Sequence, residues 1–82
     1  MKTSTTIKNS SYAVYGLGLS GQSTLKFLQK KNVKKIYTWD DKKNKNDKKK
    51  FNLFKKALDK VDYIVISPGI NIQKTKFKSE LI

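Results

Sequence analysis

The 82-residue sequence has no cysteine and no histidine, and none of its 19 basic residues is arginine. Without cysteine there are no disulfides and no thiolate metal clusters. Without histidine the commonest metal ligand and the commonest general base are missing. No apolar run nears the roughly 20 residues a membrane-spanning helix needs. The opening stretch, MKTSTTIKNSSY, lacks the apolar centre of a secretory signal. The expectation is a cytoplasmic chain with no membrane span. No G-x-x-x-x-G-K-[ST] occurs, so there is no Walker-type ATP loop. No paired-acid, serine–base or metal constellation emerges either, and the chain alone is not expected to be catalytic.

Lysine is what the sequence has in excess: 19 against six acids, a net charge of +13. Such a surplus can bind polyanions by releasing counterions from phosphates. Arginine, whose planar fork suits bidentate phosphate and guanine contacts, is absent. The abundance of Lys, Asn and Ile also matches what A/T-rich codons supply. No specific nucleic-acid partner is therefore expected, and a lysine-rich nucleic-acid-binding domain stands as an alternative. The length allows one small domain. A chain this short buries about 60–65% of the surface its unfolded form exposes, so its stability margin is thin.

The order of elements reads β-α-β-α-β. Residues 1–11 are polar and expected to form a flexible lead-in. Residues 12–15 form an apolar run suited to a strand buried on both faces. A glycine turn follows, with Ser20 able to cap a helix that runs to about Lys31. Leu25 and Leu28 share one face of it with Gly21, flanked by Phe27. Asn32 suits a left-handed helix end. Lys35–Trp39 is the second strand, in which Tyr37 and Trp39 read as core more readily than as base-stacking residues. The polar run after it is a solvated loop in which Asp47 can cap a second helix. Phe51, Phe54, Ala57 and Leu58 recur there at helical spacing on an otherwise basic helix. Tyr63–Ile66 is the third strand, and residues 71–82 form no full element. The alternation implies an α/β, Rossmann-like three-layer domain, truncated, with a parallel sheet and right-handed crossovers.

Three motifs fall at the carboxyl ends of the three strands. Gly16-x-Gly18-x-x-Gly21 leaves the first strand and opens a helix, the context in which this spacing cradles a phosphate. The first glycine permits the turn, Gly18 leaves backbone open to a phosphate, and Gly21 lets helix and strand pack closely. Leu19 and Ser20 would present N–H groups backed by the helix dipole. Asp40 lies 19 residues after Gly21, where an acid accepts hydrogen bonds from a ribose hydroxyl or a base N–H. Asp41 beside it either shares that role or opens the solvated loop. Ser67-Pro68-Gly69 follows the third strand and would meet the other two loops at one crevice.

GLGLSG after an apolar strand, then TWDD, then DYIVISPGI, resembles the N-terminal domain of the Mur ligases of peptidoglycan synthesis. Within that family the resemblance is to the branch that adds D-glutamate to UDP-N-acetylmuramoyl-L-alanine. It implies an ATP-dependent, amide-forming enzyme of three domains. The first holds the UDP end of the substrate, the second carries ATP and magnesium, and the third closes over the incoming amino acid. The substrate carboxylate would be phosphorylated by ATP and then attacked by the amino group of D-glutamate. Residues 12–82 match part of the first domain. The remaining domains would lie outside this chain, so no cofactor is expected to bind here. Carried onto this sequence, the resemblance places Leu19 and Ser20 at the diphosphate and Asp40 at the uridine. Asp41 and Lys42 fall around the uracil, and Ser67, Pro68 and Gly69 in the loop closing over the nucleotide. Family members often have a hydroxyl residue and then Arg where this chain has Asp41 and Lys42, and Lys lacks the guanidinium plane that stacks on a base. A nicotinamide or flavin dinucleotide module shares the glycine fingerprint and the acid, and remains a competing reading.

Overall fold

The computed structural model describes residues 4–81. In chain order the elements are α1 (Ser4–Asn9), β1 (Ser11–Tyr15), α2 (Leu19–Lys30), β2 (Lys35–Trp39), α3 (Lys48–Leu58), β3 (Tyr63–Ile66) and α4 (Lys78–Leu81). The three strands form one parallel sheet in the order β2-β1-β3. Tyr12 pairs with Ile36 on one side and Tyr63 on the other. β1 is hydrogen-bonded on both edges, as its uninterrupted apolar run requires.

Side chains of β1 alternate between two cores, giving three layers. Ala13 and Tyr15 face Trp39, Phe54, Leu58 and Phe77, beneath α3 and α4. Tyr12 and Val14 face Leu28 and Val33, with Ile7, Leu17 and Ile36 packed at the margin. This is the Rossmann-like α/β arrangement expected, with three strands among the described residues. Asp62 ties the amino ends of β1 and β3 together: the Ser11 N–H and hydroxyl donate to its carboxylate at 2.8 and 3.1 Å.

The helix ends follow local chemistry. Asp47 caps α3 by accepting the Lys50 N–H at 2.9 Å. Asn32 takes φ 61°. The Asn32 and Val33 N–H groups donate to the Gln29 and Leu28 carbonyls, closing α2 in a Schellman motif with Val33 packed near Leu28. Sequence expectation and structure part at Ser20 and near the carboxyl end. Ser20 does not cap α2; Gly18 holds that position without any side-chain cap, and Ser20 lies inside the first turn. Phe27 is half exposed, with the Lys31 ammonium 5.7 Å from its ring centre. Ahead of β1 lies α1, whose Ile7 carbonyl accepts the Tyr12 hydroxyl at 3.2 Å. Near the carboxyl end, where no full element is expected, Phe77 is fully buried and leads into the four-residue α4.

Candidate functional site

The carboxyl ends of β1, β2 and β3 open onto one cleft of about 490 Å³. That volume lies within the range of small-molecule sites, about 300–1,000 Å³. Gly18, Leu19 and Ser20 line it from the glycine turn, Asp40, Asp41 and Lys42 from the end of β2, and Ser67, Pro68 and Gly69 from the end of β3. The nine residues expected around the nucleotide thus meet at one rim, whereas Gly21 of the glycine motif does not line it. Gly16 and Ile70 also line the cleft.

The glycines differ in what they do. Gly16 sits at φ +98°, and a Cβ there would lie 2.6 Å from the Ser67 hydroxyl oxygen. A Cβ on Gly21 would lie 1.7 Å from the Gly16 carbonyl oxygen, so this residue sets how closely α2 approaches the turn. A Cβ on Gly18 or Gly69 would meet nothing within 4 Å. At these two positions the missing side chain leaves room in the cleft rather than relieving a clash. Leu19 is 91% exposed. As first-turn positions of α2, Leu19 and Ser20 have N–H groups without carbonyl partners in their own helix. Together with the dipole of a twelve-residue helix they suit an anion.

Asp40 is held by backbone amides. Its Oδ2 accepts the Leu17 N–H at 2.8 Å, and its Oδ1 accepts the Lys42 and Lys43 N–H groups at 2.9 and 3.0 Å. These bonds, that from Leu17 first, hold its carboxyl below the usual carboxylate range. It is therefore an anion that builds the rim, joining the loop after β2 to the glycine turn. Ser67 does similar work between β1 and β3. Its N–H donates to the Tyr15 carbonyl at 3.0 Å and its hydroxyl to the Gly16 carbonyl at 3.3 Å.

The Asp41 carboxylate turns toward the aromatic core. It accepts the Tyr15 hydroxyl at 2.9 and 3.1 Å and the Trp39 indole N–H at 2.9 Å. Both rings are buried, and their polar tips need partners. The Tyr15 hydroxyl also bonds the Thr75 hydroxyl. Burial, aided by the nearby acids and opposed by the Thr75 bond, pushes the Tyr15 phenol up to about 12. Tyr15, Thr75 and Lys43 were not singled out in the sequence. They act through contacts between residues 26 to 60 positions apart, which no local pattern reports.

Fold and site together define a Rossmann-like domain whose three strand-end loops surround one cleft at the amino end of α2. A family model described as Mur ligase MurD-like, N-terminal domain, matches residues 10–81, and the chain belongs to that family. A relative from Aquifex aeolicus (strain VF5), UDP-N-acetylmuramoylalanine--D-glutamate ligase, is 37% identical over 59 residues. The match covers 72% of this chain and 12% of that protein. No solved structure gives a significant match.

Proposed function

We propose that this chain is the UDP-substrate-binding portion of a cytoplasmic ligase that adds D-glutamate to UDP-N-acetylmuramoyl-L-alanine. The observation that carries this reading is the convergence of the three loops on one cleft, with uncapped helix amides on one wall and Asp40 and Lys42 on another. In this reading the amides of Leu19 and Ser20 receive the diphosphate, Gly18 leaves space for it, and the Asp40–Lys42 wall faces the uridine. The loop of Ser67, Pro68 and Gly69 closes the third side.

The residues present do not suit the ATP and magnesium that such a ligase uses. The chain has no lysine-bearing phosphate loop, and among the described residues no three His, Cys, Asp or Glu side chains gather around a common point. In this proposal ATP, magnesium and D-glutamate belong to parts of the enzyme outside this chain, whose contribution is to hold and orient the nucleotide end.

Trp39 is the sole tryptophan, and Asp41, its hydrogen-bond partner, lines the cleft, so its fluorescence should report occupancy. Titration with UDP-N-acetylmuramoyl-L-alanine should change Trp39 emission saturably, and NAD should not. Binding of NAD without binding of the UDP compound would replace this reading with the dinucleotide one.

A further inference from the structure

The cap position of the glycine turn does not fix its shape. Its helix cap is Gly18, which has no side chain to hydrogen-bond the first turn and the widest backbone freedom of any residue. Around Gly18 there is open space. The turn is instead held at Leu17, from the loop after β2 and from Gln22 of α2. The Leu17 N–H donates to Asp40 Oδ2 at 2.8 Å, and the Leu17 carbonyl accepts Lys43 Nζ at 2.9 Å and Gln22 Nε2 at 3.0 Å.

Asp40 and Lys43 belong to one rigid loop. Asp40 Oδ1 accepts the Lys42 and Lys43 N–H groups, the Asp40 N–H donates to Asn44 Oδ1 at 3.0 Å, and the Asn44 N–H donates to the Asp40 carbonyl at 2.9 Å. Lys43 does not line the cleft, whereas its neighbour Lys42 does. Its ammonium engages the backbone of the turn instead.

We propose that Lys43 is a positioning residue: with Asp40 it clamps both peptide groups of Leu17 and so sets the amides of residues 18–20 toward the cleft before a ligand arrives. The ligand class, a nucleoside diphosphate, rests on the proposed function above; the clamp itself does not. Holding the amides in place in the free protein removes an ordering cost from anion binding. It follows that Lys43 matters for the diphosphate and little for the nucleoside.

The test uses the 82-residue chain with Lys43→Met, which keeps the aliphatic stem, and Lys43→Arg, which restores a cationic donor. Amide hydrogen exchange in the ligand-free proteins should show the Leu17 N–H exchanging several-fold faster in Lys43→Met, with Val14 in β1 unchanged and Lys43→Arg close to the parent. UDP affinity, read from Trp39 emission, should fall about tenfold in Lys43→Met, the scale of one hydrogen bond to a charged group, while uridine affinity stays within about twofold. Unchanged Leu17 exchange overturns the clamp, and UDP affinity lost alongside it assigns Lys43 to direct charge attraction. Equal acceleration at Val14 also overturns it, by making Lys43 a general fold contact. If the parent chain binds neither UDP nor uridine, the proposed function fails while the exchange measurement still decides the clamp.

Discussion

At the scale of single residues, Gly18 and Gly21 make opposite predictions from the same kind of change. Gly18 sits at φ −72° with open space where a Cβ would stand, so Gly18→Val should fold with little loss of stability. Its side chain would fill the cleft, and UDP binding by Trp39 fluorescence should disappear. Unimpaired binding by the folded variant would remove the turn from the site. Gly21→Ala drives a methyl to within 1.7 Å of the Gly16 carbonyl oxygen, which only a shift of α2 can relieve. Overpacking of this kind costs typically 1–3 kcal/mol or more, so this variant should lose stability of about that size in a urea melt. Asp40 adds a pH signature. Its folded-state carboxyl titrates below its usual value because backbone amides, Leu17 foremost, bind the ionised form. The stability this supplies is present above the unfolded value, about 3.9, and is lost as pH falls through the lower folded value. The stability difference between the parent chain and Asp40→Asn should therefore be steady near neutrality and shrink below about pH 4. Asp40→Ala should also weaken the UDP ligand by about 1–3 kcal/mol, through lost charge-assisted hydrogen bonding and a loosened turn.

At the scale of elements, Phe77 has the largest role that sequence patterning does not reveal. It is fully buried and meets four rings, those of Tyr15, Trp39, Phe51 and Phe54, with centroids 4.7–5.9 Å apart. Phe77→Ala should cost about 3–5 kcal/mol. That is a large share of the roughly 5–15 kcal/mol that holds a domain together. Phe27→Ala, removing a half-exposed ring, should cost far less, and urea midpoints of the two variants will show the contrast. The reason Phe77 escapes notice is physical. It stands between Lys76 and Lys78 with no apolar periodicity around it, and its burial depends wholly on partners far away in the chain. The same holds for the Asp41 link to Tyr15, 26 positions away, which joins a loop to β1 through side-chain reach. What was legible is what local chemistry dictates. The β2 and β3 spans follow from β-forming runs, the Asp47 cap from a carboxylate placed before a helix, and the Asn32 turn from a residue tolerant of positive φ. The meeting of the three loops was legible for another reason. In a parallel sheet every strand ends on the same side, so motifs at strand ends need only the strand order to become neighbours. The Ser20 cap was misread because a hydroxyl two residues past Gly18 offers a plausible cap, while the turn is in fact held from Asp40 and Lys43.

At the scale of the whole molecule, the charge of +13 predicts an effect on ligand arrival rather than on fold. The two acids at the cleft are engaged by the protein itself, Asp40 by three backbone N–H groups and Asp41 by Tyr15 and Trp39. Lys42 lines the cleft, and Lys43, Lys45 and Lys48 continue along the neighbouring loop and helix start. A dianionic diphosphate approaching this side therefore meets a positive field before it meets the helix amides. Fields of this kind raise association rates by about 10 to 1,000-fold and weaken with salt. The screening length falls from about 30 Å at 0.01 M to about 3 Å at 1 M ionic strength. Stopped-flow mixing with UDP, followed by Trp39 emission, should accordingly show an association rate that drops by about tenfold or more across that range. Uridine, which is neutral, should associate at a nearly constant rate. Removing two charges outside the nucleotide contacts, with Lys45→Ala and Lys48→Ala together, should lower the UDP rate at low salt and converge on the parent at high salt, with little change in dissociation. Equal salt sensitivity for uridine and UDP would trace the effect to a conformational step in the protein and leave the lysine surplus without a part in capture.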